Sequence, residues 1–256
     1  MTTSGFRALL AKELRQLTRS RSALASATLL PIFMLVLLPL FQMFSMMAAA
    51  NAPRRVLASP QPFPTPPAII SGVGDFSRPL DLFAYFLFPL FVLIAGLMMP
   101  SVAATYAVVA ERERRSLELL VCLPVRVRDI LLAKLAAILL LGGGVTIPLF
   151  AITASVVLRS HAASPLQVGL TFLLLLAGLL CSICLALLLT LLARDFRTAR
   201  QLTGVLYGPL VFVCLGVLAA VPGPARYLAV AGLLVVVGAL AVAAGLRWVT
   251  FERYLS

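Results

Sequence analysis

A chain of 256 residues that is 62% hydrophobic and only 12% charged, with a mean hydropathy of +1.08, carries more apolar surface than one soluble core can absorb. Most of that surface must face lipid, which excludes an ordinary soluble domain. The net charge of +12 and pI near 10.8 would point to nucleic acid only if a folded soluble domain displayed a basic patch, and no segment is long enough to build one.

The expected architecture is an all-α polytopic membrane protein, a single domain over residues 1–256 with six transmembrane helices. In the leader, residues 1–22, Phe6, Leu9, Leu10, Leu14 and Leu17 recur at helical spacing. Lys12, Glu13, Arg15 and Arg19 supply its polar residues, so the leader is expected to form an amphipathic helix in the membrane interface. The first apolar run, 23–50, ends near Ala50-Asn51-Ala52, which looks like a signal-peptide cleavage site. A signal core is about 7 to 15 residues, however, so an uncleaved first span is expected.

Asn51 to Asp81 is a connection rich in proline, including Pro60, Pro62, Pro64, Pro66 and Pro67. That composition favours extended backbone over a folded domain. The second span is 82–110. After it comes a charged, helix-prone island, Glu111 to Lys134, set between two long apolar runs. Spans three to six follow at 135–158, 168–193, 201–221 and 227–246, each free of Asp, Glu, Lys and Arg and long enough to cross a bilayer.

Orientation follows from the basic residues, which are retained on the cytoplasmic side. With both termini inside, sixteen of the 21 Lys and Arg residues fall on the cytoplasmic face. The other face holds Arg54, Arg55, Arg78, Arg159 and Arg226. The positive charge is thus mainly a topology signal.

Ion-driven carriers usually place ionisable groups inside the membrane to bind the coupling ion, and these spans carry no acidic or basic side chain. The sequence has no His-Glu-x-x-His, and its one histidine, His161, falls in an expected outer turn, most simply solvated. Cys181-Ser-Ile-Cys184 sits in an apolar run without basic neighbours, where thiols act as small hydrophobes. Proline at 31, 39, 89, 100, 148 and 209 and the triplet Gly142 to Gly144 are expected to weaken or kink the helices. Gly204-Val-Leu-Tyr-Gly208 is a small-residue pattern that permits close packing against another helix or across a dimer.

The charged island carries a family resemblance. Glu111-Arg-Glu-Arg114, Ser116-Leu-Glu-Leu-Leu120, Pro124-Val125 and Ile130-Leu-Leu-Ala-Lys134 resemble the pattern Glu-x-Glu-Arg-Gly-Thr-Leu-Glu-x-Leu-Leu, Pro-Val, Leu-Leu-x-x-Lys of permease subunits in type 2 ATP-binding-cassette transporters. Lys12-Glu-Leu-Arg15 with Arg19-Ser-Arg21, and Asp195 to Leu202 before a proline-bearing fifth span, are similar to that family too. Arg115 stands where the family has Gly, and Ser116 where it has Thr.

The resemblance implies a cytosolic coupling helix between spans 2 and 3 that docks on a separate nucleotide-binding ATPase subunit. Glu111, Glu113, Arg114, Ser116, Leu117, Glu118, Leu120, Pro124 and Val125 are its docking residues. It also implies a second permease subunit, as a homo- or heterodimer, export across the bacterial cytoplasmic membrane, and ATP with Mg on the partner. The chain is expected to be no enzyme and to hold no cofactor of its own. Its two lysines, Lys12 and Lys134, both follow Ala, so it has no Gly-x-x-x-x-Gly-Lys-Ser/Thr phosphate loop. A membrane scaffold that recruits a cytosolic protein without transport, and less readily a secondary carrier, are the rival readings. Spans without fixed charge fit drugs, lipids or peptides better than small polar ions.

Overall fold

The computed structural model describes residues 9–12, 14–15, 28–51, 82–98, 100, 127–192 and 196–248. Among them the fold is helical throughout, with no strand. Inside lipid every backbone amide and carbonyl must find a partner within its own segment, and long apolar helices satisfy that demand. Helix α1 enters through a π-helical stretch, Ile32–Leu37, and continues as Leu38–Asn51. Helix α2, Phe83–Met98, opens with a second π-helical stretch, Phe83–Leu87. Then come α3, Val127–Arg159, α4, Pro165–Leu192, α5, Phe196–Ala220, and α6, Ala225–Trp248.

Among the described residues five stretches are long and apolar enough to cross a membrane: Thr28–Ala48, Leu135–Arg159, Pro165–Ala186, Gln201–Ala220 and Ala225–Gly245. The chain is therefore a multi-pass membrane protein. The remaining expected span, 82–110, is represented by α2, whose described length of about 24 Å falls short of the ~30 Å hydrocarbon layer. The rest of that stretch, except residue 100, lies outside the described residues.

The helices begin earlier than the charge-free runs. α3 starts at Val127, eight residues before the apolar stretch, and α5 at Phe196, five residues before it. Absence of charge marks where lipid begins, whereas the hydrogen-bond ladder continues into water through Arg128, Asp129 and Lys134, and through Arg197 and Arg200. Of the island, only residues 127–134 are described, and they are the first turns of α3.

Both prolines that follow a π-helical stretch have a definite effect. Pro39 and Pro89 lack the N–H that would bond the carbonyls of Leu35 and Tyr85. The ladder widens just before each, with Leu38 N–H bonding Phe33 O and Phe88 N–H bonding Phe83 O. Pro148 and Pro209 lie inside continuous α3 and α5, and Gly142 to Gly144 remain helical.

The turn between α3 and α4 is specified by two motifs. His161 takes a left-handed conformation, φ 52°, with its N–H on Leu158 O and the N–H of Ala162 on Val157 O. That is a Schellman stop with histidine in the usual glycine place. α4 then starts with a capping box. Gln167 N–H bonds Ser164 Oγ at 3.3 Å, and Ser164 N–H returns to Gln167 Oε1 at 3.0 Å.

α4 is the central helix: 61% of its spanning window is buried, against 22 to 33% for the other four. One core joins α2, α4, α5 and α6 through Leu93, Leu97, Leu174, Cys181, Tyr207, Cys214 and Leu234. A second joins α1, α2, α3 and α4, and within it Phe88 stacks on Phe83 and on Phe150, which meets Phe172 at 5.5 Å. Close packing replaces the hydrophobic effect where solvent is itself hydrocarbon. A Cβ on Gly96 would lie 3.2 Å from Leu175 O, one on Gly178 3.5 Å from Gly96, and one on Gly238 3.4 Å from the Cα of Cys181. These glycines set the α2–α4 and α4–α6 crossings.

Candidate functional site

The first turns of α2, α4 and α6 meet at one end of the bundle. Arg226, at the start of α6, lies 5.1 Å from the centre of the Tyr85 ring of α2. Gln167, at the start of α4, sits beside the hydroxyl of Tyr227. The short turns at 160–164 and 221–224 therefore occupy that end, and α3 and α5 begin at the opposite end. The two described pieces of the charged signature, Ile130–Lys134 on α3 and Phe196–Leu202 on α5, share that opposite end.

The docking residues Glu111, Glu113, Arg114, Ser116, Leu117, Glu118, Leu120, Pro124 and Val125 all lie outside the described residues. So do Glu13 and Arg19 of the leader. Residues 9–12 and 14–15 are helical, with Lys12 and Arg15 exposed. Leu10 and Leu14 pack against Ala137 and Ile138 of α3 and Ala186 of α4. Leu10 and Leu14 thus rest on the bundle, close to the first turns of α3.

Between the two ends, polar side chains tie helices together without any charge. Thr153 of α3 is fully buried and donates its hydroxyl to Leu35 O, the carbonyl that Pro39 leaves free. Ser182 of α4 donates to Leu97 O of α2. Tyr207 of α5 donates to Ser182 O at 3.0 Å, and the two hydroxyls lie 3.1 Å apart. The triad Leu97, Ser182 and Tyr207 joins three helices where an unpaired hydroxyl would be costly. Thr153 also reaches Leu149 O of its own helix at 3.3 Å, and Thr146 bonds back only within α3, to Gly142 O.

Cys181 and Cys214 are buried, Cys184 is half-buried, and all three are free thiols packed among apolar neighbours. Among the described residues no group of three His, Cys, Asp or Glu could hold a metal ion. His161 is exposed and acts as a turn residue. Gly204 and Gly208 meet no atom within 4 Å of where a Cβ would stand, so neither supports a close crossing inside this chain. The packing glycines are Gly96, Gly178 and Gly238, which have no Gly-x-x-x-Gly spacing to reveal them.

Sequence reasoning missed the inter-helix bonds of Thr153, Ser182 and Tyr207, since single hydroxyls in apolar runs carry no local pattern. The Ser164 to Gln167 box was legible as Ser-x-x-Gln ahead of an apolar run.

Residues 42–244 match a family model described as ABC-2 family transporter protein. No curated protein and no solved structure matches the chain.

Proposed function

Since the chain belongs to the ABC-2 family of transporters and is a membrane subunit of that kind, we propose that it is the permease of an exporter driven by a separate ATPase subunit. The observation that carries this reading is the extent of the family match, which runs through the whole charged island. In the proposal, Glu111 to Val125 docks on the ATPase, with Glu118 and Arg114 as polar contacts and Leu117 and Leu120 as apolar knobs. The leader, with Lys12, Glu13, Arg15 and Arg19, flanks that surface along the membrane interface.

α3 supplies a means of coupling. It is a single helix of 33 residues, about 50 Å long, so its first two turns reach beyond a hydrocarbon layer of ~30 Å. A displacement of the island would act on those turns as on the end of a rod, and Thr153 would pass it to α1. Closure of two ATPase subunits on ATP and Mg would then shift the spans between inward-open and outward-open states. A second permease subunit completes the path, and Gly204 and Gly208 are free to meet it. Both termini face the cytoplasm of a bacterial cell, on the positive-inside distribution.

The test is purification in mild detergent and identification of any stoichiometric ATP-binding partner. The chain alone should neither bind nor hydrolyse ATP. Robust hydrolysis by a preparation shown free of other proteins would end the permease reading.

A further inference from the structure

Three buried side-chain atoms gather here, Arg226 Nη1, Tyr227 Oη and Gln167 Nε2; Arg226 Nη1 has no hydrogen-bond partner among the described residues, and Gln167 faces the Tyr227 hydroxyl, which leaves the phenol O–H and one amide N–H unused. All three carry hydrogen-bond donors, and all three belong to the cluster where α2, α4 and α6 begin. Arg226 is 2% exposed. Its Nε donates to Gly223 O at 2.8 Å, and its guanidinium lies over the rings of Tyr85 and Tyr227 at 5.1 and 5.8 Å. Those contacts hold the side chain in place, but aromatic faces do not neutralise a buried charge. Gln167 is fixed as well, because its Oε1 is committed to the capping box and its Nε2 is thereby turned away from Ser164. A rigid guanidinium, a phenol and an amide, all with unused N–H or O–H groups and no carboxylate among the described residues bonded to them, are what an oxyanion requires.

We propose that Arg226, Tyr227 and Gln167, walled by Tyr85, bind one phosphate group at this end of the bundle, where the first turns of membrane helices meet the headgroup layer. The site stands independently of the transport reading. The phosphate could belong to a phospholipid headgroup or be free in solution, and the chemistry of the site is the same for both.

The experiment uses the full-length protein purified in detergent with phosphatidylglycerol or phosphatidylcholine, with retained lipid counted by native mass spectrometry and binding of inorganic phosphate measured in parallel. R226Q should lower occupancy by about tenfold or more, the equivalent of one charged hydrogen bond. Y227F keeps the ring and loses the hydroxyl. Q167E keeps the capping box and replaces a donor with a negative charge. Both should lower occupancy while leaving the melting temperature near that of the unaltered protein. Lipid retained against excess inorganic phosphate identifies the headgroup as the source, and phosphate bound without lipid identifies the free ion. The proposal fails if Y227F and Q167E bind both probes as the unaltered protein does. It also fails if the unaltered protein binds neither probe.

Discussion

Thr153 and Leu35 lie 118 positions apart in sequence, yet the need that joins them is local. Pro39 removes the amide that Leu35 O would otherwise accept, and a carbonyl abandoned in hydrocarbon draws a donor from a neighbouring helix. Thr153→Val keeps the shape and removes the donor, so it should lower stability by about 0.6 kcal/mol, the average for such bonds between membrane helices, and by no more than about 1.7 kcal/mol. Thr153→Ser should retain most of it. Unfolding in mixed micelles is the measurement, and equal stability of the Val and Thr forms would mean that the bond contributes nothing. The free carbonyl was legible from proline alone. The identity of its donor was not, because a threonine in an apolar run looks the same whether it bonds its own helix, as Thr146 does, or another.

At the scale of the helix, glycine separates packing from propensity. Alanine in place of Gly96 would press on Leu175 O, a backbone atom held by its own helix, at 3.2 Å. Overpacking of this kind costs about 1 to 3 kcal/mol. Alanine in place of Gly204 meets nothing within 4 Å and gains up to about 1 kcal/mol of helix propensity. In the isolated chain Gly96→Ala should therefore lower the melting temperature, and Gly204→Ala should leave it equal or higher. Loss of subunit association in Gly204→Ala or Gly208→Ala, with folding intact, would assign that face to the second permease subunit. A lower melting temperature for Gly204→Ala and none for Gly96→Ala would contradict the packing described here. Five of the six expected spans were legible from the charge-free runs, since the cost of charge in lipid writes them into the composition. The starts of α3 and α5 were not, because the helices outlast the lipid. The packing glycines escaped notice because a close crossing depends on which helix lies opposite, and spacing within one helix does not encode that.

Across the whole molecule the basic residues predict which end faces the cytoplasm; the three described thiols are buried or half-buried, and the fourth cysteine, Cys122, is replaced by serine in the background for labelling. Engineered thiols in Pro60→Cys and Arg115→Cys should be labelled from opposite sides of the membrane, and labelling of both from one side would overturn the proposed orientation. With that orientation in hand, the docking segment can be tested without disturbing the bundle. Glu118 and Leu120 belong to the charged island, outside every charge-free run of the sequence. Glu118→Lys or Leu120→Asp should therefore leave insertion and membrane abundance near normal. Truncating an anchor in a desolvated docking pocket costs about 1 to 4 kcal/mol, or roughly tenfold to several-hundredfold in affinity for the ATPase subunit. Transport should fall in step with that affinity. The comparison is an equally drastic change at Arg54, Arg54→Glu, which the proposed orientation puts on the side away from the ATPase, and transport by that variant should persist. Should the Glu118 and Leu120 variants bind the ATPase and transport as well as the unaltered protein, the island would be a loop that fixes orientation and nothing more, and the force on α3 would have to enter elsewhere.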